Sequence, residues 1–207
     1  MTDPIPRRRA PAMSPADRRA AIIRATLPLL LKDGVNVSTG QIAQAAEIAE
    51  GTIFRVFNDK QELIRDCVQT AFQSDTLVAG LGAIPADAAL ADRLEQGMAL
   101  LADWSREFGT LMHALFASGF QPPTPPSMAD RQAFFTERMA PVHAAFTRLL
   151  GPAPLRIPTE QAVSYLMALA MNRHPCPGAH PEPPDHTQTV SLFLHGALDH
   201  EQEDRTR

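Results

Sequence analysis

Thr52 and Arg55 stand three residues apart, just after Glu50 and Gly51, and on a helix that spacing puts hydroxyl and guanidinium on one side. Arginine forks onto guanine O6 and N7, threonine meets a thymine methyl or a polar base edge, and Glu50 suits the cytosine N4 donor. Gly51 lets backbone approach a phosphate closely. Ser38, Thr39 and Gly40 open the preceding helix, where hydroxyls and an amide face a sugar-phosphate chain, and Lys60 offers an ammonium at the start of the following one. Phe54 completes the candidate contact set, although with Ile53 and Phe57 it is expected to turn largely inward. These types at these spacings are the chemistry of reading a DNA duplex.

Positioning them falls to two short helices and a tight turn. Ser38 caps the first helix while Gln41 reaches back, the spacing of a capping box. Ile42, Ala43 and Ala46 give that helix a small face against which a second helix, starting near Ala49–Glu50, crosses closely. Asp59 caps a third, with Glu62 three residues on. A short helix, a turn, and a helix with small and polar outward residues is what major-groove docking requires.

Residues 14–63 resemble the N-terminal helix-turn-helix domain of the tetracycline-repressor (TetR) family. Ser38, Ile42, Ala43, Ala46, Ile48, Gly51, Thr52, Phe57, Lys60 and Leu63 occupy matching positions without gaps. Four positions depart from the pattern. Glu47 stands where the family has its turn glycine, Ala49 replaces the capping serine, Phe54 the tyrosine, and Val56 a His or Tyr that often touches phosphate. The last two changes remove polar phosphate donors. The resemblance implies a transcription regulator, a repressor by expectation, that binds a palindromic operator in double-stranded DNA and is released by a small effector. It also implies a homodimer joined through the last two helices.

Composition sets bounds on the rest. With 207 residues, 44% of them hydrophobic and 20% charged, the chain is long enough to bury a real core. The formal charge of −4 is unevenly divided: residues 1–66 carry +2 and residues 67–207 carry −6. The basic excess thus goes with the candidate reader, and Arg7, Arg8 and Arg9 add a cluster ahead of it. Two cysteines, Cys67 and Cys176, make no disulfide framework. No secretory segment follows the arginines and no apolar stretch approaches the roughly 20 residues that span a bilayer, so a cytoplasmic protein without membrane contact is expected.

Three segments follow: a disordered Arg-rich arm at 1–13, the helix-turn-helix domain at 14–66, and a helical effector-binding and dimerisation domain at 67–207. Helix 1 starts at Ser14-Pro15, buries Ile22, Ile23, Leu27, Leu30 and Leu31, is kinked at Pro28, and ends at Gly34. Further helices are expected over Lys60 to about Val78, 86–107, 109–118, Ser127 to Leu150 with a bend at Pro141, Thr159 to Asn172, and His186 to His200. No alternating pattern of strand length occurs, so the fold is all-α.

The last helix places Val190, Phe193, Leu194 and Ala197 on one face, which reads as a dimer interface. Trp104, Phe108, Met112, His113, Phe116, Phe135, Met139 and Tyr165 have the mixed aromatic and thioether character of an adaptable apolar pocket. A metal reading of His174, Cys176, His180 and His186 lacks paired ligand spacing, and no metal or cofactor is expected. There is no nucleophile elbow, no H-E-x-x-H and no phosphate loop, so an enzyme is not expected. The alternative is a helical ligand- or protein-binding module with a vestigial DNA reader.

Overall fold

Capping chemistry and apolar spacing set the helices in the computed structural model, which describes residues 13–122, 127–171 and 185–197. The described residues are helical, with no strand among them: α1 (Pro15–Asp33), a 3-10 turn (Gly34–Asn36), α2 (Thr39–Ala45), α3 (Glu50–Val56), α4 (Lys60–Ala71), α5 (Asp75–Gly82), α6 (Leu90–Ala117), α7 (Met128–Leu150), α8 (Thr159–Met171) and α9 (His186–Ala197). They fall into two compact units. The first runs through Ala71 and takes in Leu111–Pro122; the second holds Phe72–Thr110 and the remainder from 123 onward. The first unit is therefore larger than residues 14–66.

In the first unit, Ser14 accepts from the Asp17 amide at 3.1 Å, with Pro15 at the first helical position. α1 runs uninterrupted through Pro28 to Gly34. Gly34 is required there. Its φ is +56°, and a Cβ would lie 2.1 Å from Ser118 Oγ and 2.9 Å from the Ala114 carbonyl. The Ser118 hydroxyl in turn accepts from the Val35 amide at 2.9 Å. Ile22, Leu30, Ile42, Ile53, Phe57, Leu63 and Ile64 form the core with Leu111, Leu115 and Phe120.

Arg19 clasps this unit. Its Nε donates to Asp66 at 2.7 Å, one Nη to Glu62 at 2.6 Å, and the other to the Val56 carbonyl at 2.8 Å, one of the last carbonyls of α3. The guanidinium also lies 4.3 Å from the centroid of the Phe57 ring.

The second unit packs α5, α6, α7, α8 and α9 around Leu81, Leu94, Met98, Leu101, Val142, Phe146, Leu150, Val163, Leu166 and Val190. Gly97 allows α6 and α7 to approach, since a Cβ would meet Leu149 Cδ1 at 2.8 Å and Phe146 Cε1 at 3.2 Å.

Two helix boundaries differ from expectation. The helix expected from Lys60 to Val78 breaks after Ala71 and restarts at Asp75, because the Gln73 carbonyl instead accepts from Trp104 Nε1 at 3.3 Å. The helices expected at 86–107 and 109–118 are one, α6, which continues through Gly109. The apolar stripe persists across that glycine through Leu101, Phe108, Leu111 and Leu115, and outweighs its cost of about 1 kcal/mol. α6 ends where Gly119, at φ +95°, and Phe120 return their amides to the Phe116 and Leu115 carbonyls. The Pro28 and Pro141 positions lie inside continuous helices.

The arm at 1–12, the 174–184 segment with Cys176 and His180, and residues from 198 on lie outside the described residues.

Candidate nucleic-acid interface

The Ser38 hydroxyl accepts from the Gln41 amide at 3.1 Å while the Gln41 side chain accepts from the Ser38 amide at 2.8 Å, completing the capping box. α2 ends in a Schellman turn: the Glu47 amide donates to Gln44 and the Ile48 amide to Ala43. The residue at the left-handed position is Glu47, with φ +54°. The turn geometry therefore survives without glycine, at the cost of local strain. Ala49 occupies the N-cap of α3 and provides no side-chain bond.

α3 buries Ile53, and Phe57 follows it into the core, one turn on. Gly51, Phe54 and Arg55 face solvent and Thr52 is half-buried beside them. Phe54, expected to point largely inward, is 53% exposed. Ile53 and Phe57 take the two inward positions four residues apart, and Phe54 lies about 100° round the helix from Ile53. Its exposed ring joins the candidate contact face.

Thr39 donates a short hydrogen bond to the Glu50 carboxylate, so α2 and α3 present a joined polar pair. Lys60 is committed differently from a free phosphate donor. Its ammonium donates to the Val35 and Val37 carbonyls at 2.8 and 3.1 Å, which ties the segment after α1 to the start of α4. Gly40 and Gly51 have no packing reason to be glycine. A Cβ at Gly51 would meet nothing within 4 Å, and one at Gly40 only Ser38 Oγ at 3.9 Å.

An open hollow of about 430 Å³ lies where α1 begins beside α3, lined by Pro15, Arg18, Ile48, Ala49, Thr52, Arg55 and Val56. Arg18 was not among the sequence candidates. The signal was there in part: Arg18 and Arg19 are adjacent on a helix, so both cannot enter one clasp, and Arg19 is the one engaged.

The residues of the candidate ligand pocket separate. Trp104 and Phe108 stack at 6.2 Å and gather with Phe135 around Phe72, whose ring centroid lies 5.6, 4.8 and 6.1 Å from theirs. Phe134 joins at 6.4 Å, with the Arg138 guanidinium 5.0 Å from its ring. Phe72 carries no signal of this in the sequence, where its spacing predicts only the middle of one long helix. Met139 is buried in the second unit's core, and Tyr165 is exposed on α8, accepting from Gln161. Met112, His113 and Phe116 belong to the first unit, Met112 against its core, with His113 and Phe116 exposed.

The expected interface face of α9 needs correction. Val190 and Phe193 are buried in the second unit's core and Leu194 packs on it. The apolar side chains left outside on α8 and α9 are instead Tyr165, Leu169 and Leu192, at 51, 43 and 75% exposure.

Cys67 is buried and its thiol is pushed up to about 12 by desolvation, then by neighbouring Asp66, which makes it an inert packing residue. Among the described residues no three His, Cys, Asp or Glu side chains group as metal ligands, and no helix is long and apolar enough to cross a membrane.

Residues 22–67 match the family model for bacterial regulatory proteins of the tetR family. This segment is a DNA-binding domain of the tetR type. Solved structures share the fold over most of the length. A candidate TetR-family regulator from Mesorhizobium loti aligns over 91% of this chain and 100% of its own, with TM-score 0.60 and 19% identity. A transcriptional regulator from Rhodococcus sp. RHA1 aligns over 86% and 97%, at 0.56 and 19%. A TetR-family transcriptional regulator from Streptomyces coelicolor aligns over 88% and 79%, at 0.54 and 21%. At these identities the likeness is one of fold. The TetR-type helix-turn-helix is thus made of α2, the Glu47 turn and α3.

Proposed function

We propose that this protein regulates transcription by docking α3 in the major groove of an operator, as one half of a two-fold dimer, and that it is a repressor. The observation that carries the reading is the outward face of α3. Gly51 is a glycine that nothing in the chain's own packing demands, and it is flanked by the exposed Phe54 and Arg55 and the half-buried Thr52. A bare backbone beside groove-reading side chains suits close approach of a duplex. Glu50 and Thr39 supply an acceptor and a hydroxyl at the same face, and Ser38 and Gly40 flank them.

We further propose that the aromatic group around Phe72 binds a small apolar or amphipathic effector, with Trp104, Phe108 and Phe135 as its walls. Release from DNA then requires only that the effector prefer the arrangement that fits the operator poorly. The dimer is proposed to form through α8 and α9, whose Tyr165, Leu169 and Leu192 offer apolar surface.

Binding of the full chain to a duplex from its own upstream region, against random duplex of equal length, tests the reading. A regulator prefers the former by orders of magnitude. Equal affinity for both, or none, would favour the ligand- or protein-binding module with a vestigial reader.

A further inference from the structure

Arg18 and Arg55 come from different helices and meet in one hollow at the edge of the reader. Among the described residues neither guanidinium has an ion pair or a hydrogen bond, whereas Arg19, one residue along, has every arm engaged. The rest of the lining is Thr52, whose hydroxyl adds a donor, and apolar Pro15, Ile48, Ala49 and Val56. No carboxylate enters the lining. Two cations lining one hollow with no carboxylate among its residues make a positive site that suits an anion. A base edge offers dipoles rather than charge, while a phosphodiester offers a full negative charge and forked oxygens that match guanidinium.

We propose that this hollow seats a phosphate of the DNA backbone, held by Arg18 from α1 and by Arg55 and Thr52 from α3. The proposal rests on the DNA-binding reading and changes one assignment within it. Arg55 becomes a backbone contact, and base reading passes to the other outward residues of α2 and α3. It also explains how a reader with Ala49, Phe54 and Val56 in place of polar side chains obtains backbone affinity: the donor is delivered from the neighbouring helix. Arg18 positions the reader on the duplex and carries no sequence preference of its own.

The test is a salt titration of the full-length protein on its upstream duplex and on random duplex, with Arg18→Ala, Arg18→Lys and Arg55→Ala. Arg18 and Arg55 are exposed, so their replacement should leave the fold intact, which a thermal melt of each variant checks. Arg18→Ala is expected to weaken both duplexes by the same factor and to flatten the slope of log K against log salt by about 0.9, leaving the preference for the upstream duplex unchanged. Arg18→Lys should recover the slope, and Arg55→Ala should behave as Arg18→Ala does. A wild-type protein that prefers the upstream duplex while Arg18→Ala keeps the full slope overturns the phosphate seat and leaves the DNA reading intact. Weakening confined to the upstream duplex in Arg55→Ala also overturns it, by making Arg55 a base reader. A wild-type protein with no preference overturns both.

Discussion

Glu47 holds a φ of +54° at the turn between α2 and α3, a region that disfavours any residue with a Cβ. Glu47→Gly is expected to stabilise the chain by about 1 kcal/mol, read as a raised urea midpoint with unchanged slope. An unchanged or lowered midpoint would mean that the carboxylate has a compensating role. Gly51 predicts the opposite balance. Gly51→Ala has room for its methyl and should gain roughly 0.5–1 kcal/mol of stability while losing affinity for the upstream duplex, because the methyl stands between backbone and DNA. Full binding by a stabilised Gly51→Ala would remove close approach as the reason for glycine.

The same scale fixes an acid limit. The Arg19 guanidinium, and then the Asn58 amide, hold the Glu62 carboxyl down to about 2 from the usual 4.5. A carboxyl depressed in the folded state contributes stability that is fully present above its unfolded value and is lost as pH falls through the folded one. The gap in melting temperature between wild type and Glu62→Gln should therefore be widest above about pH 5 and shrink steadily as pH drops below 4.5 toward 2. A gap independent of pH would show that the Arg19–Glu62 pair contributes by shape alone.

At the scale of helices, starts were more legible than faces and junctions. Ser14, Ser38, Asp59 and Ser127 carry their caps in the sequence, and each accepts the amide its spacing foretold. The break at Phe72–Ser74 was hidden because its cause, the Trp104 bond to Gln73, comes from 31 residues away. The face of α9 was ambiguous for another reason. Its apolar residues cover more than one stripe, and periodicity alone does not say which stripe a single subunit consumes. With Val190 and Phe193 buried and Leu192 at 75% exposure, the two outcomes separate by mutation. Leu192→Glu should give folded monomers by sedimentation, whereas Leu194→Glu should lower stability by a few kcal/mol through an unpaired charge against the core. A Leu192→Glu protein that remains dimeric would move the interface elsewhere.

Across the whole chain, the type of DNA-binding domain was legible from the residues between Ser38 and Leu63, while the make-up of the first unit was not. Gly34 announces a helix end in the sequence, but not that Ser118 fills the space beside it, so Leu111–Pro122 could not be assigned to the first unit in advance. Charge, by contrast, is readable without coordinates. The segment that carries the reader, residues 1–66, is +2 and the remainder −6, so electrostatic attraction to DNA depends on a small, local basic excess. Residues 1–12 hold Arg7, Arg8 and Arg9 against Asp3 alone; deleting them removes the whole +2. If those arginines touch the backbone or a minor groove, the deletion should weaken specific and random duplex alike and flatten the salt slope by up to about 2–3 units, roughly 0.9 for each phosphate no longer neutralised. Combining the deletion with Arg18→Ala separates the two sources, because phosphates neutralised independently subtract independently from the slope. A deletion that leaves the slope of the full-length protein untouched would rule those arginines out and leave Arg18 and Arg55 as the main cationic anchors.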